Sequence, residues 1–96
     1  MTNEIMFEQL TRYRKKHAAI YGIERLGVFG STAQGNDEPE SDVDIVVELA
    51  KPDLLILVGI KQELEEILDR PVDVVRYREN MNQFLKQRID RNVIYV

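Results

Sequence analysis

The chain has 96 residues, 44% of them hydrophobic and 31% charged, with 17 acids against 13 bases for a formal charge of −4. That size and apolar content suit one small core and exclude a disordered chain, while the acidic balance argues against a domain that grips nucleic acid by neutralising phosphates. With no cysteine there are no disulfides and no thiolate metal sites.

The start, MTNEIMFEQL, is acidic and amphipathic, unlike the basic end and apolar run of a signal peptide. The longest apolar run, LLILVGI, falls far short of the ~18–20 residues that span a bilayer. The expectation is one domain over 1–96, soluble and cytoplasmic, with no membrane contact and no direct nucleic-acid binding.

In chain order, Met6, Leu10, Tyr13, His17 and Ile20 fall on one helical stripe, with RYRKK largely on the other side and Gly22 as the stop. RLGVFG reads as a short strand closed by Gly30. STAQG has room for a turn or two of helix before Gly35, and NDEPE, with Pro39, is loop by composition. DVDIVVEL is β-branched, apolar and alternating at its start, a strand.

Pro52 and a capping Asp53 open a second long helix, in which Leu54, Leu57, Val58, Leu64, Ile67 and Leu68 recur at helical spacing. PVDVV is a third strand with Pro71 at its mouth. A last helix is expected from about Asn80 to Arg91 with Phe84, Leu85 and Ile89 inward, followed by the apolar tail VIYV, itself strand-like. The fold class is therefore α/β (α+β), a small sheet packed against helices, with a strand order the pattern does not fix.

Residues 27–49 hold six carboxylates and no lysine or arginine. Two of the six, Asp42 and Asp44, stand one residue apart in an otherwise apolar strand. Alternation points both to one face while Val43, Ile45 and Val47 point to the other. Ionised carboxylates that close together repel unless something positive intervenes, and a hard divalent cation with oxygen ligands is the natural remedy. Asp73, between Val72 and Val74, is equally out of place. If its strand neighbours the first, three carboxylates face one point. Upstream, Gly30 and Ser31 follow a strand and open a helix, where backbone N–H groups are natural phosphate partners. Taken singly, each has a bland explanation: a solvated strand face, a turn glycine, a capping serine. Together they make the two halves of a nucleoside triphosphate site.

Gly-Ser, ten residues, Asp, one residue, Asp is also the mark of the minimal nucleotidyltransferases of the DNA polymerase beta-like superfamily, which this sequence resembles over nearly its whole length. The resemblance implies the polymerase beta-like nucleotidyltransferase fold. It implies transfer of a nucleoside monophosphate from a triphosphate, ATP by expectation, to a hydroxyl with release of pyrophosphate. In that reading Asp42, Asp44 and Asp73 are catalytic and hold two Mg2+ ions, Asp73 either as a ligand or as the proton acceptor, and Gly30 and Ser31 hold the phosphates. Position 34, often arginine in relatives, is Gln34 here, which weakens the phosphate grip or shifts it to another base.

In relatives of this size the usual arrangement is a toxin–antitoxin pair, so the resemblance implies an MntA-type antitoxin that places AMP on a tyrosine of a helical HEPN ribonuclease toxin. Two other readings stay open: a non-catalytic antitoxin that neutralises its partner by binding, and a nucleotidyltransferase acting on a small-molecule hydroxyl.

The remaining conspicuous residues have quieter expectations. His17, the sole histidine, is read as structural, RYRKK as a solvated face, and Tyr13, Tyr21, Tyr77 and Tyr95 as packing or interface residues. Arg76 and Arg78, just after the third strand, are candidates for a phosphate or partner contact.

Overall fold

The computed structural model describes residues 3–35 and 42–96, and the loop expected at NDEPE lies outside them. The elements run α1 (Asn3–Tyr21), β1 (Ile23–Val28), α2 (Gly30–Ala33), β2 (Val43–Leu49), α3 (Leu54–Leu68), β3 (Val72–Arg76), α4 (Gln83–Asn92) and β4 (Ile94–Tyr95). They form a mixed four-stranded sheet in the order β3-β2-β1-β4. β2 lies antiparallel to β1 and parallel to β3, and β4 closes the far edge antiparallel to β1. The parallel pair follows from α3, which carries the chain back across the sheet before β3 begins, the usual crossover between parallel strands.

Alternation splits the sheet between two cores. Leu26, Val28, Val43, Ile45, Val47 and Val72 face α1 and α3, meeting Met6, Leu10, Tyr13, Ile60, Leu64 and Leu68. On the other face Phe29 and Val46 meet Met81 and Ile89, with Leu85 of α4 packed at their margin. Asp44 shares parity with Val46, so it lies on the α4 face.

Gly27 decides how β4 joins. A Cβ there would stand 2.8 Å from the Ile94 carbonyl oxygen and 2.9 Å from Tyr95 Cδ1, so only glycine admits the strand this close. The Val96 N–H then donates to the Leu26 carbonyl at 2.9 Å.

Several expected inward residues are in solvent. Ile20 is 72% exposed, because the α1 stripe continues from His17 by four residues to Tyr21, which stacks on the imidazole. Leu54, Val58 and Ile67 are exposed as well. The α3 residues fully buried in the core are Ile60, Leu64 and Leu68, a straight run of fours, with Ile56 and the expected Leu57 packed against them. Phe84 is 84% exposed, and α4 begins three residues later than expected. Met81 is buried before the helix starts, and Asn82 caps it, accepting from Leu85 N–H at 3.1 Å.

Asp53 caps α3 as expected, its Oδ1 accepting from the N–H groups of Leu55 at 2.9 Å and Ile56 at 3.4 Å. Asp53→Ala leaves those donors to water and should cost about 1 kcal/mol. The check is a lower urea midpoint with an unchanged slope of the transition.

Candidate active site

In the β2–β3 ladder Asp44 is paired directly with Asp73, so the two share a face on strands roughly 4.8 Å apart. The start of β3 is fixed at both sides. Val43 N–H donates to the Pro71 carbonyl at 2.9 Å, and Val72 N–H donates to Glu65 Oε2 at 3.1 Å. Asp42, just before β2, is close enough for its charge to act on Asp44. Asp42 and Asp73 are exposed, whereas the Asp44 side chain keeps only 17% of its surface.

The wall opposite Asp44 is the turn after β1. Phe29 N–H donates to the Asp44 carbonyl at 3.1 Å, and Gly30 follows at φ +68°, a left-handed backbone that favours glycine. The carboxylate of Asp44 fills the place where a Cβ on residue 30 would stand. Gly30 is thus required twice, by its torsion and by its neighbour. Ser31 is next, at the start of the four-residue α2, with its side chain in solvent.

Burial pushes the Asp44 carboxyl up from its ordinary 3.8. The Arg88 guanidinium opposes that, and the charges of Asp73 and Asp42 push in the same direction as burial. Arg88 comes from α4, its Nη2 3.6 Å from Asp44 Oδ2 and its Cζ 5.6 Å from the centre of the Phe29 ring.

Sequence reasoning passed over Arg88. Its signal was present, since it lies three residues after Leu85 and beside Ile89 on the inward side of α4. It becomes legible only once α4 is known to cover the carboxylate face.

Other candidates are elsewhere. Arg76 pairs with Val47 and so shares the α1 and α3 face, opposite Asp73. Gln34 is exposed at the end of α2, and Arg78 is exposed beyond β3. His17 is held in the other layer, stacked between Tyr13 and Tyr21, with Nδ1 3.0 Å from the Tyr13 carbonyl and Nε2 3.3 Å from Glu63 Oε2. All four tyrosines hold their protons more tightly than usual, Tyr13 and Tyr95 chiefly through burial, Tyr21 through Glu63 and Tyr77 through Asp90. That suits packing rather than nucleophilic roles.

The donors are hard carboxylate oxygens crowded on one face with a single guanidinium near Asp44, a set that matches a divalent cation such as Mg2+. Among the described residues, no three His, Cys, Asp or Glu side chains are already gathered around one point. Asp42 and Asp73 would have to turn toward Asp44 for all three to share an ion.

The polymerase beta nucleotidyltransferase family model matches residues 8–96. The chain belongs to that family. This nucleotidyltransferase is 43% identical over 70 residues to a candidate protein adenylyltransferase of Methanocaldococcus jannaschii, covering 72% of this chain and 74% of that one. It is 32% identical over 97 residues to the protein adenylyltransferase MntA of Thermococcus cleftensis, covering 100% and 97%. Among solved structures it is similar to a toxin–antitoxin complex with AMP-PNP, at a TM-score of 0.77 and 26% identity, over 92% of this chain and 69% of that one. Among the described residues, no helix of the nucleotidyltransferase is long and apolar enough to cross a membrane.

The folded protein holds the Asp44 proton more tightly than the unfolded chain does. The stability this contributes is full below 3.8 and is lost as pH rises through the raised value. Asp44→Asn removes that loss. Melting in EDTA should show a midpoint at pH 7 above that of the unaltered protein, with a shallower fall between acid and neutral pH.

Proposed function

We propose that this nucleotidyltransferase is a metal-dependent protein adenylyltransferase, an antitoxin that transfers AMP from ATP to a tyrosine hydroxyl of a HEPN-type toxin. The observation that carries the reading is the Asp44–Asp73 pair on one face, walled by Gly30. The names of the relatives add the substrate class: protein adenylyltransferase for the matched chains, and a toxin–antitoxin complex holding an ATP analogue for the matched structure. The HEPN class of the partner is what the sequence resemblance implies.

In this reading Asp42, Asp44 and Asp73 hold Mg2+, which when bound supplies the positive charge that lets a triphosphate approach three carboxylates. Gly30 makes the room in which the Asp44 carboxylate sits beside the phosphate-binding turn, and Ser31 offers its hydroxyl as a donor to the phosphates. Asp44 is the fixed member, half-enclosed against Gly30, and it sets where the triphosphate sits. Asp73, exposed beside it, is reachable by an incoming tyrosine. Its carboxylate takes the hydroxyl proton as the oxygen bonds to the α-phosphorus and the bond to the pyrophosphate leaving group breaks. General-base assistance of this sort is worth ~10²–10⁴-fold.

The test is intact-mass analysis of the purified toxin after incubation with the nucleotidyltransferase, ATP and Mg2+. The toxin should gain adenylyl groups, and Asp73→Asn should slow that gain by ~10²-fold or more. Full modification by Asp44→Asn would rule out the carboxylate site. An unmodified toxin whose ribonuclease is nonetheless silenced would favour neutralisation by binding alone.

A further inference from the structure

Arg88 reaches Asp44 without docking on it. At 3.6 Å from Oδ2 its guanidinium is outside hydrogen-bond range, and its side chain is 58% exposed. A second support holds it in place, the face of the Phe29 ring 5.6 Å away, an attraction independent of Asp44. A Cβ on Gly30 would meet Arg88 Nη2 at 3.2 Å, so the guanidinium stands over the same bare backbone that faces Asp44. One cation is thus poised over both halves of the site, the carboxylate and the glycine turn.

The charges there compete. A divalent cation held by Asp44 would compete with a guanidinium beside the same oxygen, since like charges repel. A triphosphate at Gly30 and Ser31 offers it a better partner, since arginine forks match phosphate oxygens.

We propose that Arg88 is a tethered placeholder cation, which screens Asp44 while the site is empty and transfers to the nucleotide phosphates when ATP binds. This rests on the nucleotide-site reading above and deepens it by naming the base that receives the triphosphate.

The proposal makes two predictions of opposite sign. Removing Arg88 takes away a competitor for the metal and also a ligand for the phosphates. With the full chain, Mn2+ titrated alone should bind Arg88→Ala more tightly than the unaltered protein. AMP-PNP titrated with Mg2+ should bind it more weakly, by about 10–100-fold for one lost charge-assisted contact. Arg88→Lys should recover part of the nucleotide affinity, because it keeps the charge and loses the fork.

Calorimetry reads both constants without turnover, and Arg88→Gln, closer in size, repeats the comparison should the alanine variant not fold. If both affinities move in the same direction, or neither moves while the unaltered protein binds both probes, the role of Arg88 is overturned and the nucleotide site stands. If the unaltered protein takes up neither Mn2+ nor AMP-PNP, the nucleotide site itself falls, and the proposal with it.

Discussion

The crowding of like charge at the start of β2 is the constraint around which the rest of this molecule is arranged. A carboxylate with 17% of its side-chain surface left, flanked in the ladder by another aspartate, is unfavourable for folding on its own. The structure tolerates it by three means. Glycine at position 30 gives Asp44 room that any side chain would take. Arg88 lends a positive charge from across the layer. The two ordered cores supply apolar burial on a scale that a single strained acid does not offset.

The placement of the acids at the end of the sheet matters as much as their identity. Further along the same face, Val46 and Phe29 are sealed by Met81 and Ile89, and beyond them Arg25 lies over the Tyr95 ring with its Cζ 4.7 Å from the centre. At the Asp44 end the face is polar again, and there α4 contributes Arg88. The same alternation that makes Val43, Ile45 and Val47 a core thus delivers Asp42 and Asp44 to an opening. Packing and chemistry here are two faces of one pleat.

Much of this was legible in the sequence, for identifiable reasons. The Asp42–Asp44 spacing inside an apolar run forced the shared face, and Asp53 and the glycines marked their turns by local chemistry alone. What the sequence withheld depended on relations between distant elements. The adjacency of β3 to β2, which places Asp73, is a matter of sheet order. Ile20 is exposed because its stripe passes to Tyr21 instead, and Leu54 and Phe84 stand in the first turns of their helices, where periodicity does not report what covers them. Arg88 was missed for the same reason: a charged residue on a helix reads as solvated until the helix is set against a particular strand. Arg76 is the converse, a base whose nearness in sequence to Asp73 conceals its position on the opposite face.

Helix α4 is fastened on several sides. Ile89 is seated in the second core, Asn82 caps its first turn, Asp90 accepts a hydrogen bond from the Tyr77 hydroxyl at 2.9 Å, and the Val93 N–H closes on the Ile89 carbonyl. A rod secured in this way does not roll when charge arrives at one end. Adjustment at the carboxylate end then falls to side chains, Arg88 of α4 and the exposed Asp42 and Asp73, while the helix keeps its register on the sheet.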